Sequence, residues 1–223
     1  MLVSCWSAKG GSGTTVVSAA LALLLARSAP AGALLVDLAG DLPLVLGLQL
    51  GNEPGVADWL AAGAAVPADG LARLEIRAGP GVALVPRGDG RLAAGHPADA
   101  LVNLLAADPR PVVVDCGVLG GPTGGAGGEV AVLVAASATH SLLVLRPCFV
   151  ALRRAVDAPL RPSSIVLLSE PERVLTAADV EDALAVSVGV ELRLDPAVAR
   201  AVDAGLLAAR LPRTLERGLR HAA

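Results

Sequence analysis

Leu2-Val-Ser-Cys-Trp-Ser-Ala-Lys-Gly-Gly-Ser-Gly-Thr-Thr15 is the stretch whose reading decides the fold. Leu2 to Trp6 is a short apolar run, the pattern of a strand buried on both faces. Gly10, Gly11 and Gly13 break it with a turn, and Thr15 to Ser28 reads as an Ala/Leu-rich helix stopped by Pro30. A glycine-rich turn between a buried strand and a helix lets backbone N–H groups converge on an anion at the helix N-terminus, where the helix dipole adds favourable potential. Lys9 stands at the entry to that turn and is the only lysine among 18 lysine and arginine residues. A composition that uses arginine wherever charge alone is needed keeps an ammonium here, a compact point charge with three donors rather than a planar fork.

Outward from this segment, short apolar runs alternate with longer helical stretches, the pattern of a parallel sheet covered on both faces. Ala33 to Leu38 returns as a strand carrying Asp37. Val56 to Ala62 reads as a helix, Val82 to Val85 as a strand, and Ala98 to Ala107 as a helix opened by Pro97. Pro111-Val-Val-Val-Asp115 is the most strand-like run of all, β-branched and continuous. Gly117 to Gly128 is so rich in glycine that it is expected to be a mobile loop, a candidate switch or lid. Strands at Ser141 to Leu145, Ile165 to Leu168 and Val188 to Leu192 follow, with helices at Phe149 to Ala158 and Ala177 to Leu184, the latter capped by Thr176. Pro196 to Ala204 and Pro212 to His221 close the chain as helices. The expected fold is α/β and P-loop NTPase-like, a mostly parallel twisted sheet with helices on both faces, built as one domain over residues 1–223.

Composition narrows the function classes. A chain of 223 residues buries a core without disulfides, and its 54% hydrophobic content is mostly Ala, Val and Leu broken by Gly, Ser, His or Arg before a membrane span is complete. The start has no basic segment ahead of an apolar one, so a signal peptide is not expected and the cytosol is the expected compartment. Cys5, Cys116 and Cys148 are widely spaced beside apolar runs, which suits reduced core thiols. His96, His140 and His221 have no ligand spacing. A formal charge of -3, one Phe, two Trp and no Tyr supply neither a general attraction for nucleic acid nor stacking platforms for bases.

In the pattern G-x-x-x-x-G-K-[ST], the lysine after the last glycine reaches the β/γ-phosphates and the next hydroxyl holds magnesium. Here Ala8 occupies the first position and Thr14 follows Gly13, so the strict pattern fails at both ends, while Thr15 retains the hydroxyl. Lys9-Gly-Gly-x-Gly-x-Thr15 resembles the deviant Walker A loop of the MinD/ParA ATPases, in which a signature lysine opens the loop and reaches across a dimer interface to the partner's nucleotide. With threonine in place of the second lysine, the loop is most similar to the CpaE/TadZ branch, which localises and assembles Tad-type pili. Leu35-Val-Asp-Leu-Ala-Gly-Asp-Leu-Pro-Leu-Val-Leu-Gly-Leu48 is similar to that branch's V-D-L-D-x-x-x-G-D-L-x-L-x-L-G-L, shortened by three residues. Ile165 onward and Leu194 to Gly205 follow its C-terminal rhythm.

The resemblance implies ATP or ADP with Mg²⁺ as ligands. Lys9, Gly10, Gly11, Ser12, Gly13, Thr14 and Thr15 would hold the nucleotide, and Thr15, Asp37 and Asp115 would hold the metal, Asp115 at the Walker B position. Lys9 would also serve catalysis. The family's water-positioning aspartate falls at Ala39 or among the missing residues; Asp41 can substitute, or it can be a loop or capping residue that aligns with the branch's later G-D. The family's Asn-Arg after the Ile165 strand is Ser169-Glu170 here, so base recognition does not carry over. Losing the second lysine costs one charge-assisted contact, about 1.5 to 3 kcal/mol, and leaves hydrolysis more exposed than binding.

The expected protein is therefore a nucleotide-binding homodimer that joins across its nucleotide site, positions a pilus or secretion machine, and hydrolyses ATP weakly or not at all. An active partitioning or septum-placement ATPase and a scaffold without nucleotide are the alternatives. Arg210, Arg213, Arg217 and Arg220 with Leu211, Leu215 and Leu219 form a basic amphipathic end. It is expected to pack on the sheet with its arginines in water, ahead of contact with DNA or the inner face of a membrane.

Overall fold

A computed structural model describes residues 1–63, 69–120 and 127–220. Among the described residues, eight strands form one sheet: β1 (Leu2–Ser7), β2 (Ala33–Asp37), β3 (Ile76–Gly79), β4 (Val82–Val85), β5 (Val112–Val118), β6 (His140–Leu145), β7 (Ser164–Ser169) and β8 (Val188–Arg193). Their order across the sheet is β3-β4-β2-β5-β1-β6-β7-β8. Every neighbouring pair is parallel except β3–β4 at one edge, which is antiparallel.

The three valines of β5 explain why it sits in the middle. Side chains alternate between faces along a strand, so a strand covered on both sides must be apolar at every position. Val112, Val114 and Cys116 enter one core with Trp6, Leu101, Val130 and Leu143. Val113 enters the other with Cys5, Leu21, Leu35 and Leu142. The first core is covered by α3 (Val56–Ala62), α4 (His96–Ala107), α5 (Gly128–Ser137), α6 (Phe149–Val156) and α7 (Ala177–Leu184). The second lies under α1 (Thr14–Ser28), α2 (Leu42–Val45), α8 (Pro196–Asp203) and α9 (Arg213–Leu219). Trp6 is fully buried, and its indole N–H donates to Ser141 Oγ at 3.0 Å, tying β1 to β6.

Four elements differ from the sequence reading. β5 does not stop at Asp115 but runs on to Val118, and α5 begins at Gly128, so both ends of the expected Gly117–Gly128 loop are regular structure. The rest of that expected lid, residues 121–126, lies outside the described residues, as does His221. Helix α5 was not expected: Glu-Val-Ala-Val-Leu-Val-Ala-Ala is apolar nearly all round and shows no helical period. Strand β3 and the single turn of α2 were also unexpected.

The C-terminal helix settles on the sheet. Leu215 and Leu219 are buried in the second core, Arg27 on α1 pairs with Glu216 at 2.9 Å, and Arg220 pairs with the same carboxylate at 3.5 Å. The apolar side of α9 is thus occupied by the protein's own core. Among the described residues, no helix is long and apolar enough to cross a membrane.

Candidate functional site

In open parallel sheets, ligands bind outside the carboxyl ends of the strands where the chain direction switches. Here β1 lies between β5 and β6, and chain leaving β1 turns one way to β2 while chain leaving β5 turns the other way to β6. The turn from Ala8 to Gly13 sits at that point. Gly11 and Gly13 have φ of 77° and 86°, a left-handed conformation that disfavours side chains. A Cβ on Gly13 would also come within 2.9 Å of Leu168 Cδ2. The loop is closed by Ser12 Oγ, which donates to the Lys9 carbonyl at 2.7 Å. Gly13 precedes helix α1 as its N-cap with no side-chain cap, and the first turn has no acidic residue, so the helix's first amides are left to an external acceptor. The Lys9 ammonium donates to the Gly10 carbonyl at 3.3 Å and makes no ion pair among the described residues.

Gly13→Ala is expected to lower stability by about 1 to 2 kcal/mol, the cost of a side chain in the left-handed region, since Leu168 can move aside. Urea unfolding of the two proteins at neutral pH checks it. A change under about 0.3 kcal/mol would show that the loop relaxes away from this conformation.

Asp37 and Asp115 are register partners on the adjacent strands β2 and β5, and both are completely buried. Asp37 spends its oxygens on the backbone that follows: Oδ1 accepts from Ala39 N at 3.0 Å and Gly40 N at 2.6 Å, and Oδ2 accepts from Leu42 N at 3.1 Å. It therefore shapes the turn into α2. Asp115 is different. Its Oδ1 accepts from Gly117 N at 3.1 Å, while Oδ2 is buried with no hydrogen-bond partner. The Thr15 hydroxyl interacts with this carboxyl without closing a hydrogen bond of ordinary geometry. Burial, with Asp37 alongside, pushes Asp115 up to about 7. Burial pushes Asp37 up to about 6, against the pull of its three backbone donors.

A buried carboxylate oxygen with no partner is costly unless something else satisfies it. A divalent cation held by Asp115 and Thr15 would do so. Among the described residues, no group of three or more His, Cys, Asp or Glu side chains is placed to hold a metal by itself. Magnesium does not need one, because it is ordinarily held by one or two carboxylates, phosphate oxygens and water. Asp41 stands apart: it is exposed, it precedes α2 without capping it, and it is near enough to raise both buried carboxyls.

Two cavities flank the loop. One, of about 310 Å³, is largely apolar and lined by Gly13, Val17, Leu168, Leu192, Val198 and Val202, with Arg146 on its rim. Asp195, which also lines it, is occupied, accepting from Ala197 N at 2.8 Å and Thr214 Oγ1 at 2.9 Å. The other, of about 150 Å³, is lined by Lys9, Ser12, Arg146, Cys148, Ala151 and Arg173. Arg146 and Arg173 share Glu170 between them, and this pair of arginines was not foreseen as part of the site. Their signal in the sequence is faint: Arg146 follows the end of an apolar strand, and only the strand order places that end beside the glycine loop. Cys5 and Cys116 are buried free thiols, Cys5 pushed up to about 12 by burial, and Cys148 is a half-buried free thiol.

The α/β fold, with its eight-stranded, mostly parallel sheet, is similar to that of MinD and ParA ATPases of known structure. A ParA family ATPase from Chlorobium tepidum TLS superposes with a TM-score of 0.75 at 20% identity, over 98% of this chain and 95% of that one. The cell division ATPase MinD of Pyrococcus furiosus gives 0.71 at 22% identity, over 100% and 99%. The septum site-determining protein MinD of Pyrococcus horikoshii OT3, complexed with Mg-ADP, gives 0.70 at 21% identity, over 92% and 86%. No protein-family model matches the sequence, and no curated protein matches it.

Proposed function

We propose that this chain is a MinD/ParA-like nucleotide switch of the CpaE/TadZ type, which binds Mg·ATP or Mg·ADP, dimerises across the nucleotide site, and positions or assembles a pilus or secretion machine while hydrolysing ATP weakly or not at all. The observation that carries this reading is the unsatisfied Oδ2 of Asp115, buried beside Thr15 at the foot of a glycine loop whose helix amides await an acceptor. Gly10 to Thr15 would cradle the phosphates, and Thr15, Asp115 and Asp37 would hold the metal, Asp37 acting mainly through the turn it shapes. When bound, magnesium would neutralise phosphate charge against the buried carboxylates.

Weak hydrolysis follows from what is missing. Position 14 offers no ammonium, and Ala39 cannot orient water. Asp41 is the remaining candidate for that task. Dimerisation is supported by Lys9, which has no anionic partner among the described residues of its own chain. Apolar surface lies on the same edge: Phe149 is 75% exposed and Val174 is 92% exposed.

The test measures ATP binding, hydrolysis and dimerisation with magnesium for wild type and Lys9→Ala. Nucleotide-dependent dimers in wild type, lost in the variant, with turnover far below that of a MinD-type enzyme, are the expected result. Turnover stimulated by DNA or by lipid vesicles would favour the partitioning or septum-placement reading instead. No binding by either protein would leave a scaffold.

A further inference from the structure

We propose that Arg146 is the phosphate-binding cation that this chain carries in place of the lysine absent at position 14, so that the charge reaches the nucleotide from the end of β6 rather than from the loop itself. The inference rests on the nucleotide reading above and concerns how this chain satisfies it.

Among the described residues, Arg146 is the one side chain that lines both cavities beside the loop, the apolar one behind Gly13 and the basic one beside Lys9 and Ser12. Its Nη1 donates to the Gly11 carbonyl at 3.4 Å, a long contact that sets the guanidinium at the mouth of the loop. Its Nε donates to Glu170 Oε1 at 2.6 Å, and Nη2 pairs with the same oxygen. Arg173 takes the other oxygen, Nη2 to Oε2 at 2.9 Å, so Glu170 is shared by two guanidinium groups. With Lys9, three cations converge on a cavity of about 150 Å³ served, among the described residues, by a single carboxylate. The cluster holds excess positive charge beside a phosphate-type loop.

A structural clasp between the loops after β6 and β7 is the competing explanation. It accounts for the Glu170 bonds but not for the placement. An ion pair this accessible, with the Arg146 side chain 38% exposed, contributes little to stability. It needs no contact with the glycine loop. A planar guanidinium is suited to bridging phosphate oxygens in a fork. Glu170 aims it: with Nε and Nη2 held, Nη1 is the amino group left turned toward Gly11.

The test is calorimetric titration of Mg·ATP, Mg·ADP and adenosine into wild type, Arg146→Ala, Arg146→Lys and Arg146→Ala/Thr14→Lys, with thermal unfolding as the folding control. The expected result is a tenfold to hundredfold loss of Mg·ATP affinity in Arg146→Ala, one charge-assisted contact's worth. Adenosine affinity should be unchanged, Arg146→Lys should recover part of the loss, and lysine at position 14 should recover most of it. Wild-type Mg·ATP binding that Arg146→Ala leaves within about twofold, or an equal loss for adenosine, overturns the inference while the nucleotide reading stands. Should wild type bind none of the three, the nucleotide reading falls and this one with it. If Arg146→Ala does not fold, Arg146→Lys and Glu170→Gln carry the comparison: Glu170→Gln loosens the guanidinium without removing its charge. It is expected to change Mg·ATP affinity and to spare adenosine, and indifference in both variants is again a negative result.

Discussion

Replacing Asp115 with asparagine is expected to stabilise the nucleotide-free protein at pH 7.5 and to do so by less than half as much at pH 5. The buried carboxyl is pushed up to about 7, with Asp37 beside it at about 6. A carboxyl whose pKa is raised by folding contributes stability that is fully present below its unfolded value, near 3.8. That stability is lost as pH rises through the folded value, because ionisation then takes place in a buried site. The window for Asp115 therefore runs from about pH 4 to about pH 7. Asparagine cannot ionise, and its amide oxygen can still accept from Gly117 N.

Three pKa units set a ceiling of about 4 kcal/mol, and Asp37 still titrates in the variant, so about 2 kcal/mol at pH 7.5 is expected, or roughly 4 to 8 °C in Tm for a chain of this size. Differential scanning calorimetry of both proteins at pH 5, 6 and 7.5 reads it. Mg·ATP should raise the Tm of wild type and not of the variant, since the asparagine lacks the charge that would hold the metal. A variant destabilised equally at every pH would show that Asp115 holds the fold rather than a ligand. Stability given up at a charged buried site is the usual companion of binding function.

How much of this could be read beforehand depends on whether a feature is local or made by topology. The β1–loop–α1 unit, the three valines of β5 and the aspartates that follow the apolar runs of β2 and β5 are contiguous signals, each tied to one physical requirement: burial on both faces, left-handed turns, or a polar side chain where an apolar run stops. Helix α5 was illegible for the opposite reason. Only the face formed by Val130, Ala131, Val134 and Ala135 is fully buried, but its other positions are mostly apolar too, so no polar stripe marks a helix. Strand β3 is a short edge strand whose register shifts between Arg77 and Gly79, so its alternation is broken. Arg146, Glu170 and Arg173 come from the ends of β6 and β7 and meet the glycine loop only because β6 lies next to β1. Asp37 shows a subtler limit. The sequence marked it as a metal-site residue, but not that its oxygens are engaged by Ala39, Gly40 and Leu42. That engagement leaves Asp115 as the carboxylate with the freer oxygen.

Thr14→Lys is expected to raise Mg·ATP affinity about tenfold without restoring fast turnover. Thr14 is the first residue of α1, nearly buried at the head of the loop, and its carbonyl accepts from Ser18 Oγ at 2.9 Å, a bond of the backbone that the substitution leaves possible. A lysine there adds an ammonium to the phosphates in the position the strict pattern uses. One charge-assisted contact corresponds to about 1.5 to 3 kcal/mol, and the lower part of that range applies if Arg146 already supplies charge nearby. Turnover needs more than affinity. Positive charge that binds ground state and transition state alike tightens the complex without speeding the chemical step, and an oriented water has no carboxylate at Ala39 to hold it. Calorimetry and a phosphate-release assay on Thr14→Lys, Ala39→Asp and the double variant separate the two requirements. Tight binding with slow release in Thr14→Lys, and faster release only when Ala39→Asp is combined with it, is the expected order. Fast release from Thr14→Lys alone would mean that Asp41 already positions the water, and that the missing lysine is all that keeps this protein from being an efficient ATPase.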